Sequence, residues 1–219
     1  QRVKNAYQEK EEMIKQNLSD HSISSNKLQI YLRAFKKEKI IELWAKNETD
    51  TVFQLLREFD ICSLSGKSGP KREEGDLQIP EGFYHINHFN PWSNFHLSLG
   101  INYPNRSDRI LGVQGNLGGN IFIHGNCITI GCLPITDDKI KELYIYAVEA
   151  KNSGQENIPV TIFPAKLTDR NFNALKQKYD QDTDKINLWT DMKQGFDHFN
   201  KTNQLPIICF LNNGRKRIE

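Results

Sequence analysis

Apolar residues in the middle of this chain come in runs too short for helices, and nearly every run ends at Gly, Pro, Asn or a charged cluster. "LQIYLRAF" and "KIIELWAK" flank a charged "KKE" turn and predict a β-hairpin. "DICSLSG", "NFHLSLGI", "GNIFIHG" and "IPVTIFPA" add further short strands rich in β-branched and aromatic residues. Segments this short bury their apolar face only by pairing into one sheet.

Helical spacing lies mostly at the ends. Val3, Tyr7, Ile14 and Leu18 form one apolar stripe, which predicts an N-terminal helix, and Ser22 to Asn26 reads as a polar linker. "ETDTVFQLLREF" is expected to be a short helix capped by Thr49 or Asp50. "TDDKIKELYIYAVEAKNSG" carries Ile140, Leu143, Tyr144 and Ala147 at helical spacing behind a Thr-x-x cap and ends near Gly154. "TDRNFNALKQKY" and "DKINLWTDMKQGFDHFNK" are amphipathic, and "LPIICFLNN" closes the chain as a strand. The expected class is α+β, a β-rich mixed sheet with flanking helices. Residues 1–26 are expected to form a helical segment and linker, 27–166 a β-rich central domain, and 167–219 a C-terminal α/β extension.

Composition narrows the function. With 219 residues the chain buries roughly 70% of its unfolded surface, enough for a core without staples. Lys and Arg number 29 against 27 Asp and Glu, and no basic stripe is present, so nucleic acid is not an expected partner. No apolar run approaches the roughly 18 residues of a membrane span. The start at Gln1 suggests a trimmed chain whose targeting segment is missing. Four cysteines are too few for a disulfide scaffold, and Cys209, in "PIICFL", reads as inert core.

"IFIHGNCITIGC" concentrates the chemistry: His124 ends a strand, and Cys127 and Cys132 follow. The spacing H-x2-C-x4-C falls loosely within that of small zinc sites, which makes a zinc-stabilised binding domain one alternative, but no fourth ligand stands nearby. The zinc-deaminase pattern also fails, because no Glu stands two residues after His124. A Cys127–Cys132 bridge would close a very small loop; Cys62 with Cys127 is the better pair if oxidation occurs, and buried free thiols are the plain alternative. The nucleophile reading uses more of the residues. An imidazole at a strand end can take the proton of a thiol in the next loop. Gly131 lets the main chain turn so that N–H groups near Cys132 point at a developing oxyanion, and one such donor is worth roughly 3 kcal/mol. Thr129 offers a hydroxyl, either to substrate or to close the turn.

These residues resemble a known family. Thr-x-Gly-Cys in "CITIGC", behind an Ile-His-Gly strand end, is similar to the YkuD-type L,D-transpeptidase catalytic domain. Only seven residues separate His124 from Cys132, which matches the His-Gly-x-Cys-x-Ser/Thr-x-Gly-Cys form of the YafK-like branch. "IYLRAFKKEKIIELW", "SGKSGPKREEGDLQIPEGFYHI", "FHLSLGINYPNRSDR" and "IPVTIFPAKL" agree with that branch, so the likeness covers about residues 28–167. The resemblance implies Cys132 as nucleophile, His124 as its base, and Thr129 and Gly131 as the residues shaping the Cys loop. It implies an enzyme of the bacterial cell envelope, in the periplasm after loss of a signal peptide, that needs no cofactor or metal. Its substrates would be peptidoglycan stem peptides, attacked at the L-centre of diaminopimelate through a thioester. The branch includes a hydrolase that detaches a lipoprotein from peptidoglycan, so a peptidoglycan-anchored lipoprotein is a possible partner and hydrolysis a possible outcome. An inactive peptidoglycan-binding module of the same fold is the alternative. In the long Gly/Pro stretch 66–82 and beyond it, Lys71, Arg106 and Arg109 are expected to hold carboxylates, or else to be plain surface charges. His96 alternates with Phe95 and Leu97 and is expected to line the cleft, or to be a structural histidine.

Overall fold

Strand β1 (Leu28–Phe35) is buried along nearly its whole length, so both of its faces need cover. Its even positions, Leu28, Ile30, Leu32 and Ala34, enter the main core, while Tyr31 and Phe35 face the other way into two smaller clusters. In the computed structural model, which describes residues 1–219, β1 pairs antiparallel with β2 (Ile40–Asn47) and parallel with β8 (Ile158–Phe163). The remaining strands are β3 (Gln54–Asp60), β4 (Gly82–Asn90), β5 (Ser98–Ile101), β6 (Phe122–His124) and β7 (Leu133–Pro134). Together they form an eight-stranded mixed sheet in the order β3-β2-β1-β8-β4-β5-β6-β7. Its two edges meet, because Cys62 just beyond β3 donates its N–H to Pro134 O of β7 at 3.0 Å and its sulfur is bonded to Cys127.

Helices supply the cover. Helix α1 (Arg2–Asp20) and helix α3 (Asp137–Asn152) lie on the main core, Ala6, Ile14 and Leu18 packing with Leu143, Ala147 and Ala150. On the opposite face of β1, α5 (Thr183–Thr202), preceded by α4 (Asp169–Lys178), brings Leu188, Trp189, Met192 and Phe196 against Phe35 and Phe163. Phe199 meets Tyr31 and Trp44 edge-on. The short helix α2 (Arg106–Leu111) is closed by a reciprocal capping box between Asn105 and Asp108. A two-stranded ribbon, β9 (Ile208–Phe210) with β10 (Lys216–Ile218), ends the chain.

The expected α+β class, a mixed sheet with flanking helices, is what forms. Four local expectations are corrected. The segment expected as a helix from Thr49 is strand β3, antiparallel to β2. Buried Leu56 and Phe59 stand three apart, which mimics a helical stripe. A β-bulge opposite Leu43 and Trp44 inserts Leu56 as an extra residue, so both side chains reach the core from one strand. "DICSLSG" forms no strand beyond Asp60, and in "LPIICFLNN" only Ile208–Phe210 pairs. Finally, Thr136 at the start of α3 has φ +72° and makes no side-chain cap; Asp137 instead accepts the N–H of Asn126 at 2.8 Å. No helix is long and apolar enough to cross a membrane.

Candidate active site

Parallel pairing of β6 with β7 places the two candidate groups. Ile123 opposes Leu133 and His124 opposes Pro134, so Cys132, one residue before β7, lies beside Phe122. The sulfur confirms that register, accepting the Phe122 N–H at 3.4 Å. Phe122 and His124 are two apart on one strand and share a face, so the register brings Cys132 to the face that carries His124.

The tautomer of His124 follows from its bonding. Nδ1 lies against the Gly125 carbonyl, which can only accept, so Nδ1 carries the hydrogen and Nε2 keeps its lone pair. Phe95 stacks on the ring at 4.6 Å and fixes its plane. Burial pulls the His124 pKa below its ordinary value, partly opposed by the Gly125 bond, so the ring is neutral at pH 7. Burial pushes the Cys132 thiol up, while the Phe122 N–H and the nearby Lys71 charge pull it down. In the resting geometry the thiol donates to Asn120 O at 3.7 Å and no hydrogen bond joins it to His124. The arrangement is a neutral thiol and a neutral base awaiting a proton transfer, and it is not a preformed ion pair. Catalytic hydrogen bonds commonly tighten only once substrate is present.

Thr129 closes the turn. Its hydroxyl donates to Cys132 O at 2.8 Å and accepts the N–H groups of Cys132 at 2.8 Å and of Gly131 at 3.3 Å. The two donors expected to face an oxyanion are therefore engaged by Thr129 in this conformation. Gly131 adopts φ +135°, and a Cβ there would meet Gln78 O at 3.2 Å. Only glycine fits without moving the 66–82 loop.

A cleft of about 300 Å³ is walled by Asn120, Ile121 and Phe122 on one side and by Asn87, His88, Gly100 and Tyr103 on the other. Cys132 does not line it, but its sulfur contacts the backbone of two wall residues, Asn120 and Phe122. Gly100 opens it, since a Cβ there would come within 3.0 Å of both His88 and Phe122. No motif in the sequence marks His88, Phe95 or Asn120 for the site. The spacing of His85 and His88 would put them on opposite faces of a regular strand, and a bulge at Ile86–His88 resets that alternation. No sequence signal marks the bulge.

The three residues expected to hold carboxylates separate. Lys71 is buried, its ammonium bonded to Asp76 at 2.6 Å and to Glu73 O at 2.7 Å, and it acts on the Cys132 thiol through its charge. Burial alone would raise the Asp76 carboxyl, but Lys71 and the N–H groups of Gln78, Arg72 and Glu73 outweigh it and hold the pKa down. Arg106 and Arg109 are exposed and border another depression, with His85, Ile208 and Phe210, which shares no lining residue with the thiol's cleft. His96 has φ +70°, which breaks the expected alternation and turns Phe95 onto His124. Its Nε2 is buried without a partner, and it stands among Asp137, Lys141, Arg2 and Glu9 of α3 and α1, away from the cleft. Cys127 is bonded to Cys62 and so has no free thiolate for zinc, and no group of three or more His, Cys, Asp or Glu is arranged to hold a metal ion. Cys209 is half-buried on the terminal ribbon.

Residues 30–162 match the L,D-transpeptidase catalytic domain family, YkuD. The chain is 34% identical over 185 residues to "Putative L,D-transpeptidase YafK" of Escherichia coli (strain K12), covering 84% of this chain and 71% of that protein. Among solved structures, the helical cell shape determining protein Pgp2 of Campylobacter jejuni aligns with TM-score 0.49 and 20% identity, over 84% of this chain and 73% of its own. Bd1075 of Bdellovibrio bacteriovorus aligns with TM-score 0.44 and 18% identity, over 84% and 77%.

Proposed function

This chain belongs to the YkuD L,D-transpeptidase catalytic domain family, and from that premise we propose that it is a cysteine acyltransferase of peptidoglycan stem peptides in the bacterial cell envelope. The observation that carries the proposal is the β6–β7 register, which sets Cys132 beside the strand that ends in His124 with Nε2 free as a base. His124 Nε2 takes the thiol proton as sulfur attacks the carbonyl at the L-centre of a diaminopimelate residue. The tetrahedral intermediate collapses, the C–N bond breaks, and the imidazolium returns its proton to the departing amine. A thioester on Cys132 remains, and water or an amine resolves it through the same base. The Lys71 charge partly offsets the burial that raises the Cys132 thiol.

Water is the proposed acceptor in preference to a second stem, and the leaving amine includes the side chain of a lysine on a linked protein. Holding an acceptor and excluding water needs a cover over the thioester. The seven residues between His124 and Cys132 are short and tied down through Cys127, and Ile128 and Ile130 are 67% and 76% exposed. The 66–82 stretch is held elsewhere: Lys36 Nζ bonds Lys67 O, Ile79 O and Glu81 Oε1, and Arg72 grips Asp184 with two bonds of 2.9 Å. These ties hold both segments away from the role of a cover, which supports water as the acceptor.

The test offers a tetrapeptide donor, excess acceptor stems and a stem carrying a lysine-linked peptide, followed by mass spectrometry. Trimmed stems and released peptide are expected, with all turnover lost in a folded Cys132→Ala variant. Dominant crosslinked dimers with an intact lysine linkage would reject hydrolysis. Full turnover by Cys132→Ala would reject the thiol mechanism, and binding without turnover by the unaltered chain would favour the inactive module.

A further inference from the structure

A second cavity, of about 370 Å³, opens where the β1–β2 turn, the start of the loop that follows Cys62, and the end of α4 come together. Lys36, Lys37, Lys67 and Lys178 line it and no Asp or Glu does. Lys36 is neutralised by Glu81 at 2.8 Å, but the other three have no carboxylate partner. Lys37 Nζ bonds only the Asn171 amide, at 2.9 Å, and Lys178 lies over the Tyr179 ring. Between them the chain presents Ser65 and Ser68, and Ser65 Oγ is buried without any hydrogen-bond partner. Three unpaired cations around a concave surface, with an orphaned buried hydroxyl, form a site whose missing component is an anion.

The strand register relates this cavity to the cleft. β1 and β8 run parallel and end at Phe35 and Phe163, and β4 begins level with them, Gly82 opposing Ile162. Phe122 opposes Gly100, which opposes His88, six residues along β4 from Gly82, so Cys132 lies about 20 Å along the strand direction from the level of the lysine cavity, within the span of an extended peptide. One loop joins them: it leaves the cavity at Ser65–Ser68 and reaches Gly131 through Gln78.

We propose that the cavity formed by Lys37, Lys67, Lys178, Ser65 and Ser68 is an exosite for a carboxylate-bearing peptide strand, separate from the cleft beside Cys132. This rests on the stem-peptide reading of the cleft. The lining favours a peptide over a compact phosphate. Its charges are dispersed lysine ammoniums with no arginine fork, and its volume admits an extended segment carrying more than one carboxylate. Such a site would retain an acidic stem near the thiol while the acylated peptide reacts, and its affinity would fall with salt.

The experiment uses the full chain with Cys132→Ala, so that no turnover occurs, and follows backbone amides by NMR. The probe is a diaminopimelate-containing tetrapeptide, with its carboxyl-amidated analogue and inorganic phosphate as comparisons. The tetrapeptide is expected to shift the amides of Gly66, Lys67 and Ser68 with a saturable curve. Each of Lys37→Gln, Lys67→Gln and Lys178→Gln should weaken that curve by about twofold to fivefold, the span of a partly exposed ion pair. Shifts at Gly131 and Asn120 with silence at Gly66–Ser68 would overturn the exosite and leave the cleft reading standing. Silence at both places would overturn both. Equal saturation by the amidated peptide, or tighter saturation by phosphate, would overturn the carboxylate assignment.

Discussion

Breaking the Cys62–Cys127 bridge should destabilise the fold far more than its exposed position suggests. The bridge closes a loop of 65 residues that contains β4, β5, β6 and α2. In the chain-entropy account, opening a loop of that length returns about 14 cal/mol/K to the unfolded chain, or about 4 kcal/mol at 25 °C. The native state also loses a closure, because the bridge lies beside the Cys62 N–H to Pro134 O bond that joins the two sheet edges. The perturbation is Cys62→Ser with Cys127→Ser in a Cys132→Ala background, where no liberated thiol can exchange with Cys132. Urea unfolding is the assay. With a denaturant slope of about 2 kcal/mol/M, the midpoint should fall by about 2 M. Reduction of the Cys132→Ala protein should reproduce that shift. A fall of less than about 0.5 M by either route would refute the reasoning, since it would mean that the sheet edges close without help from the bridge.

Two further outcomes follow from the site. Thr129→Val should strand the N–H of Cys132 and of Gly131 at a half-buried turn, destabilising the protein by about 1–3 kcal/mol and cutting turnover, whereas Thr129→Ser should retain both; equal loss in the two variants, by thermal unfolding and product assay, would remove the hydroxyl from the argument. Because burial lowers the His124 pKa and raises that of Cys132, kcat/KM should climb with pH through a value below the ordinary 6.5 of histidine, as His124 loses its proton and becomes a base. It should then hold level across neutral pH, since the neutral thiol–imidazole pair is the active form, and a bell centred near pH 7 would instead indicate a thiolate–imidazolium pair. The same shift bears on stability: a buried neutral histidine contributes fully above the unfolded pKa, and that contribution falls away as pH drops below about 6.5, where the unfolded chain binds the extra proton.

Local pattern by itself determined most of the strand runs, the N-terminal and C-terminal helices, and the closeness of His124 and Cys132 in the chain, because these depend on residue spacing within one element or one tight connection. Thr129 and Gly131 were legible as a turn for the same reason: the hydroxyl, the glycine and the cysteine lie within four residues. Tertiary structure decided what spacing could not encode. The three-residue interval of Leu56 and Phe59 reads as helix until the partner strand β2 shows the bulge that allows it. Alternation left His96 either in the cleft or structural, and a left-handed backbone angle sets it against α1 and α3 while Phe95 stacks on His124. Lys71, Arg106 and Arg109 look alike as cations in a polar loop. Only the packed chain buries the first near Cys132 and leaves the other two on a different depression. The engaged N–H groups of Gly131 and Cys132, and the pairing of Cys62 with Cys127, likewise became definite only when the sheet curled and its edges met. The physical reason is that periodicity records which side chains a single element can bury, whereas the chemistry of this site depends on groups that meet through pairing, bulges and closure between strands far apart in the chain.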